Sequence, residues 1–570
     1  MSVAIGERQA TFCATFVDEL VLGGVGDAVL CPGSRSTPLA LAVAASSLRC
    51  HVRLDERSAG FFAVGLARAT GRPVLVVVTS GTAAAELHAS VVEADLDRVP
   101  LIVATADRPP ELQSVGSAQT IEQAGIFGSQ LRFSSLPGPC HAWPEELWRP
   151  LASRVVLEAV GFDGRPGPVH LNLPFAEPLV AEPGALPPSQ RPGQPHYAMT
   201  APRQGSAVLA GLGARGVVLA GHGCGDPERI LAATARLRWP LLADPRSGCR
   251  RSDPQVVAAA DGLLRMPELV ELLVPETLVL LGAPPASKVV GEWITAVAQR
   301  GARVVVLGHD GPARHPTQVS ALFLRGEPAS LLEQFSEELE EAPPAWLERW
   351  KSFERAAQAG IDELLGDGLL CEPSLARALS RELEGAILVS SSSMPIRDLE
   401  WFGVTRPRPL RVLANRGANG IDGVLSTAMG VAAGSSDPVV ALVGDLAFFH
   451  DVSALVDGLP LGGSLVVVVV DNRGGGIFSF LPQATSLDAQ RFEQLFGTPR
   501  AVSVLEVARG FGVEAQMVES HGSLREALAE QVGSEGIHVL VVRVPNRESN
   551  VARHEQLHRA IDAAARAMLS

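Results

Sequence analysis

No stretch of this 570-residue chain approaches the ~20 consecutive apolar residues of a membrane-spanning helix, so no membrane span is expected. Seven cysteines (Cys13, Cys31, Cys50, Cys140, Cys224, Cys249 and Cys371) are scattered, odd in number and without a Cys-x-x-Cys pair. That pattern argues against a disulfide framework and against a zinc site, and it points to a reducing compartment. Positive charge is in deficit too: 48 Lys and Arg stand against 62 Asp and Glu, a net charge of -14. The electrostatic footprint of a nucleic-acid binder is therefore missing, and any anion site has to be built locally. Glu7 and Arg8 precede any apolar run, so no secretory leader is expected, and the reading is a soluble cytoplasmic protein. There is no short tandem repeat.

What is present is apolar bulk. A hydrophobic fraction of 46% fills several cores, and 570 residues exceed what one core holds, so two to four domains are expected. Two breaks divide the chain: Gly184 to Ser206, rich in Pro, Gln and Gly, and the acidic, proline-ended Glu340 to Pro344. Each of the three resulting segments alternates short Val/Leu/Ala runs with amphipathic helices, the pattern of doubly wound parallel sheets. The first and third share a strand-loop-helix plan that an old duplication would explain.

The densest chemistry lies between Val439 and Phe478. An apolar strand (Val439 to Val443) runs into Gly444-Asp445, a helix is expected from about His450, and a second strand (Leu465 to Val470) ends in Asp471-Asn472-Arg473-Gly474-Gly475-Gly476-Ile477-Phe478. Parallel strands buried on both faces would deliver Asp445 and Asn472, 27 positions apart, to their carboxyl ends, where open α/β sheets bind ligands. A carboxylate, an amide oxygen and the Gly474 carbonyl suit Mg2+, which keeps sites open for phosphate oxygens. A metal-anchored diphosphate follows. The plainer account is that Asp445 caps a helix and the glycines make a turn.

In the first segment a helix (about Glu7 to Leu22) leads into the strand Ala28 to Cys31 and the loop Pro32-Gly33-Ser34-Arg35-Ser36-Thr37-Pro38. This is either a helix start capped by hydroxyls or an anion site in which Arg35 grips a carboxylate. Glu56 opens the next helix, an ordinary place for an acid. Thr79-Ser80-Gly81-Thr82 ends a Val-rich strand; Arg108 and Gln119 follow a further strand end. In the third segment Ser390-Ser391-Ser392-Ser393-Met394-Pro395-Ile396-Arg397 follows the strand Ala386 to Val389, and Arg416, Asn419 and Ile421 follow the strand Arg411 to Ala414. Taken singly, these arginines read equally well as surface residues beside helix caps.

The middle segment approximates a dinucleotide fingerprint. Strand Gly216 to Ala220 enters Gly221-His222-Gly223-Cys224-Gly225-Asp226, and Asp244 follows the next strand. The third glycine is replaced by Asp226, whose carboxylate would face a pyrophosphate, so NAD binding is discounted. Gly282 to Lys288 fails as a phosphate loop because Ser287 replaces the glycine before Lys288.

The Gly-Asp turn followed by Asn resembles the signature of the thiamine-diphosphate decarboxylase and synthase superfamily. The Pro32 to Pro38 heptapeptide, with Leu54 to Gly60, Thr79 to Ala83, Thr105 to Glu111 and Gln119 to Ile121, resembles the 2-succinyl-5-enolpyruvyl-6-hydroxy-3-cyclohexene-1-carboxylate synthase family of menaquinone biosynthesis. Leu446 and Asp471 depart from the superfamily pattern, Ser392 and Asn419 from the family's.

The resemblance implies an α/β fold of three doubly wound, mainly parallel-sheet domains of the thiamine-diphosphate enzyme type: 1–183 binding the pyrimidine, 184–206 a linker, 207–341 a middle domain and 342–570 binding the diphosphate. It implies thiamine diphosphate with Mg2+ (or Mn2+) held by Asp445, Asn472 and Gly474. Glu56 would share a proton with N1′ of the cofactor, Ser80, Gly81 and Thr82 would line its pyrimidine pocket, and Ile421 would prop its bent shape. The implied reaction is decarboxylation of 2-oxoglutarate and conjugate addition of the succinyl carbanion equivalent to isochorismate. Ser34, Arg35, Arg108, Gln119, Lys288, Ser393, Arg397, Arg416 and Phe478 would contact these substrates, Lys288 otherwise being a surface lysine and Phe478 core. Four carboxylates on two substrates, in so acidic a chain, call for four dedicated arginines. A homodimer or dimer of dimers with shared active sites is implied as well. An acetohydroxyacid-synthase-like carboligase, a dinucleotide oxidoreductase and a non-catalytic relative are the alternatives.

Overall fold

Runs such as Val74–Val78 and the Val-rich stretch within Ser464–Asp471 are apolar on both sides, so they are stable only as strands covered on both faces. The computed structural model, which describes residues 2–139, 142–162, 164–197, 212–308, 319–366, 368–460 and 462–569, builds three six-stranded sheets from such runs. The first contains β1 (Asp27–Leu30), β2 (Arg49–Val52), β3 (Val74–Val78), β4 (Leu101–Asp107), β5 (Phe133–Ser135) and β6 (Val169–Pro174), in the order β2-β1-β3-β4-β6-β5. The second contains β7 (Gly216–Ala220), β8 (Leu241–Ala243), β9 (Val256–Val257), β10 (Thr277–Leu281), β11 (Arg303–Gly308) and β12 (Ala321–Arg325), in the order β12-β11-β10-β7-β8-β9. The third contains β13 (Ile387–Ser390), β14 (Arg411–Ala414), β15 (Val439–Gly444), β16 (Ser464–Asp471), β17 (Glu514–Val518) and β18 (Gly536–Arg543), in the order β14-β13-β15-β16-β18-β17. Pairing is parallel in all three. First and third sheets share one strand order, as their common sequence plan anticipates; the second has the order of dinucleotide folds.

The chain divides into two compact units. One comprises Met1–Pro202, Asn415–Ser436 and His450–Leu465, and the other Arg203–Ala414, Asp437–Phe449 and Val466–Ser570. In the first unit the helix Val424–Gly434 crosses the helix Glu56–Thr70 at backbone contact. A Cβ on Gly65 would fall 2.0 Å from the Thr427 carbonyl oxygen, and one on Gly430 would fall 2.0 Å from that of Phe62. Only glycine permits this approach. Asn415 connects the two helices: its Oδ1 accepts from Arg68 (2.5 Å) and its Nδ2 donates to Thr427 Oγ1 (3.0 Å), while Arg68 also bonds Glu93 (2.8 Å) and Asp97 (2.5 Å).

The first helix runs Ser2–Leu22, starting ahead of the expected Glu7, and a second helix also differs from its sequence expectation. It starts at Asp445 and ends at His450, where a start near His450 was expected, and a short 3-10 segment, Val452–Asp457, follows. The reason is local: Asp445 Oδ1 accepts the N–H of Leu446 at 2.7 Å, so the acid itself opens the helix. The strands Gly216–Ala220 and Arg411–Ala414 and the helix start at Glu56 fall where the sequence places them. Residues 184–197 form neither helix nor strand, and the remainder of the expected 184–206 linker lies outside the described residues. Among the described residues no helix is long and apolar enough to cross a membrane, and six cysteines are free thiols; Cys140 lies outside them.

Candidate active site

In the second unit, neighbouring strands β15 and β16 end beside one another. Asp445, at the end of β15, is buried, and its Oδ2 accepts the N–H of Gly474 at 2.8 Å, so one carboxylate ties the two halves of the motif together. Burial pushes its pKa up to about 6 even though two N–H groups favour the charge. Asn472 donates Nδ2 to Glu372 Oε1 at 2.8 Å, while its Oδ1 is buried and accepts nothing. Gly474 holds φ +130°, and a Cβ there would sit 2.0 Å from the Gly497 carbonyl oxygen. Its own carbonyl takes the N–H of Gly476 at 2.9 Å and keeps a second lone pair. Phe478 is half-buried against Phe496, with ring centroids 5.5 Å apart.

Glu372 was not singled out by sequence. An acid between Cys371 and Pro373 reads as an ordinary first-turn residue of the helix Glu372–Glu382. Its carboxyl is buried, and burial with the nearby charge of Asp398 pushes its pKa up to about 7. Asp398 in turn pairs with buried His554 at 2.6 Å.

Ser393 and Arg397 are brought together: Arg397 Nη1 donates to the Ser393 carbonyl at 2.6 Å, and burial lowers the arginine's pKa. Ser393 sits at φ 73°, ψ -132°, a glycine-like conformation that costs a serine on the order of 1–3 kcal/mol. Lys288 is not brought to them. It opens the helix Lys288–Gln299, its side chain is 89% exposed, and it pairs with Glu292 at 3.4 Å.

In the first unit, Ser80, Gly81, Arg108 and Gln119 form one network. Arg108 Nη1 donates to Ser80 Oγ (2.9 Å), Ser80 Oγ to the Gln119 carbonyl (2.9 Å), and Gln119 Nε2 to the Ser80 carbonyl (3.0 Å). Gly81, at φ 85°, gives its N–H to Gln123 Oε1 at 2.9 Å; a Cβ there would meet Gln119 Cγ. Thr82 opens the short helix that follows. Gln123 and Asn172, which sequence reasoning missed, carry this network inward: Gln123 Nε2 donates to Asn172 Oδ1 (2.7 Å) and Asn172 Nδ2 to Asp107 Oδ2 (2.7 Å).

Arg35 donates to the Phe175 carbonyl at 2.9 Å and pairs with Glu177 at 3.3 Å. Burial first, and then the charge of Arg108, lower its pKa, so two expected substrate arginines face one region. Ser34 accepts from Thr37 through its carbonyl. Glu56 is half-buried, its pKa raised by burial and by Asp55 and Glu86. The loop bearing Arg416 and Ile421 is held from below by Glu93, which accepts the N–H groups of Gly417 (3.1 Å) and Ala418 (2.7 Å). Asn419 in that loop has φ 64°, a left-handed conformation that asparagine tolerates, which accounts for that residue type there.

The middle fingerprint is closed by its own chemistry. Asp226 caps the helix Pro227–Leu237 through the N–H of Glu228 (2.9 Å), and Asp244 accepts the N–H of Arg246 (2.8 Å).

Residues 11–126 match the family described as thiamine pyrophosphate enzyme, N-terminal TPP binding domain, and residues 400–542 match thiamine pyrophosphate enzyme, C-terminal TPP binding domain. Proteins named 2-succinyl-5-enolpyruvyl-6-hydroxy-3-cyclohexene-1-carboxylate synthase are similar along nearly the whole chain. That of Thermobifida fusca is 42% identical, over 96% of this chain and 98% of the relative. Those of Chloroflexus aurantiacus (40%; 97% and 96%) and Bacillus velezensis (39%; 96% and 97%) align as fully. The chain belongs to this synthase family. A divalent ion at the diphosphate, as the sequence resemblance implies, would need oxygen donors. The buried, unengaged Oδ1 of Asn472 beside the Asp445 carboxylate and the Gly474 carbonyl fits that need.

Proposed function

We propose that the chain joins 2-oxoglutarate to isochorismate with loss of CO2, giving 2-succinyl-5-enolpyruvyl-6-hydroxy-3-cyclohexene-1-carboxylate for menaquinone biosynthesis. The observation that carries this reading is identity of 39–42% across 96–97% of the chain with synthases of that name. Asp445, the Asn472 amide oxygen and the Gly474 carbonyl would hold Mg2+, or Mn2+, for the diphosphate. When bound, thiamine diphosphate supplies the carbanionic carbon and the electron sink for decarboxylation. Glu56 holds a proton at N1′ of the aminopyrimidine, and its raised pKa suits a group that shares that proton. Ser80, Gly81 and Thr82 would line the pyrimidine pocket, and Ile421 would support the cofactor. Ser393, Arg397 and Arg416 bind the donor dicarboxylate. Ser34, Arg35, Arg108 and Gln119 bind isochorismate, with Phe478 lining its pocket.

The domains are read as 1–183 for the pyrimidine, 207–341 in the middle and 342–570 for the diphosphate, joined by the linker 184–206, in a cytoplasmic homodimer or dimer of dimers. Each active site is assigned to two protomers, one giving Glu56 and the other Asp445. Co-expressed Glu56→Gln and Asp445→Ala chains then regain about a quarter of wild-type activity, since half of randomly paired dimers are mixed and keep one intact site. Purified mixed dimers without activity would refute the shared site. The substrate reading is tested by mass spectrometry of the products formed with thiamine diphosphate, Mg2+ and 2-oxoglutarate plus isochorismate, against pyruvate alone. The succinylated cyclohexene carboxylate is expected; an acetohydroxy acid from pyruvate, with none of it, would identify a different carboligase.

A further inference from the structure

An asparagine that offers its amide oxygen to a cation must be prevented from turning its NH2 toward it, because the two orientations occupy nearly the same space. At Asn472 the discrimination is visible. Nδ2 donates to Glu372 Oε1 at 2.8 Å, and Oδ1, at the other end of the amide, is buried with no partner. The reversed amide would set oxygen against the carboxylate oxygen and aim two N–H groups at the ion. Glu372 is firmly seated: it opens the helix Glu372–Glu382, whose preceding Cys371 N–H is bonded to Ser374 Oγ at 2.9 Å. Gly476 completes the slot, since a Cβ there would lie 2.6 Å from Asn472 Nδ2.

We infer that Glu372 is a positioning residue for the metal, its Oε1 holding the Asn472 amide so that Oδ1 faces the divalent ion. This rests on the metal-site reading above. A carboxylate behind the amide also makes Oδ1 a better donor, as partners behind metal ligands do elsewhere, where their loss costs 10–100-fold in metal affinity.

The test titrates metal-free protein with Mn2+ in the presence of thiamine diphosphate, following free Mn2+ by electron paramagnetic resonance. Glu372→Met, which has no acceptor, is expected to bind Mn2+ about 10–100-fold more weakly. Glu372→Gln keeps a carbonyl oxygen and is expected within a few-fold of wild type. Wild-type affinity in Glu372→Met, or an equal loss in both variants, overturns the inference. Should Glu372→Met fail to fold, Gly476→Ala crowds Nδ2 from the other side and is expected to weaken Mn2+ binding in a folded protein; unchanged affinity there overturns it. Unmodified protein that takes up no Mn2+ with the cofactor overturns the metal-site reading, and the inference with it.

Discussion

The second and third sheets both place glycine and an acid at the end of an apolar parallel strand, Gly221 to Asp226 after β7 and Gly444-Asp445 at the end of β15. After β7 the acid is Asp226, which caps its own helix through Glu228 N–H. After β15 the acid is Asp445, which reaches 29 positions along the chain to Gly474, two residues past Asn472, whose Oδ1 the protein leaves unengaged. The second sheet has the strand order of dinucleotide folds, and the third does not. Topology provides a crevice in each; the donor atoms at its mouth decide what it can hold.

That contrast is breakable by mutation. Asp445→Ala is expected to reduce turnover to background, measured as CO2 released from 2-oxoglutarate with isochorismate, while Asp226→Ala leaves it unchanged. Equal losses would mean the two loops are not different in kind. Glu56→Gln should lower kcat by about 10²–10⁴-fold with cofactor still bound in a titration. Because burial raises the Glu56 pKa, the acid limb of the wild-type pH profile should lie above the ordinary carboxylate range, activity falling as the group is protonated, and it should vanish in the glutamine variant. Wild-type kcat in that variant would leave Glu56 as a helix-start acid.

Smaller effects are expected from the arginines. Arg397→Ala and Arg416→Ala should weaken use of 2-oxoglutarate, and Arg35→Ala and Arg108→Ala use of isochorismate, each by roughly 2 kcal/mol or more in kcat/KM. Four variants that affect both substrates alike would reject the assignment. The smallest effects concern stability. Asp226→Ala should lower it by about 1 kcal/mol through the lost cap, and Ser393→Gly should raise it by about 1 kcal/mol by relieving the positive φ, both read from denaturant unfolding.

Much of this was legible in sequence because it is local. The strand ends, the helix start at Glu56 and the Asp445/Asn472 spacing all follow from patterns within one strand-helix-strand step. The supports were not legible. Glu372 lies 100 positions before Asn472, and Glu93 lies 324 positions before the Gly417 N–H it accepts. Such partners meet only after folding, and a buried acid beside a helix start carries no pattern that separates it from an exposed one. The helix at Asp445 departs from its sequence pattern for a related reason: the carboxylate bonds its neighbour's N–H and starts the helix five residues before His450. The second sheet shows the converse, a local glycine pattern whose meaning one substitution, Asp226, removes.

Isothermal titration of unmodified, metal-free protein with thiamine diphosphate, in the presence and absence of Mg2+, and with NAD, tests most directly whether the third sheet and not the second takes the diphosphate. Binding of thiamine diphosphate that requires the divalent ion, with no heat from NAD, is the predicted result. Binding of NAD, or thiamine diphosphate binding equally well without a metal, would contradict it.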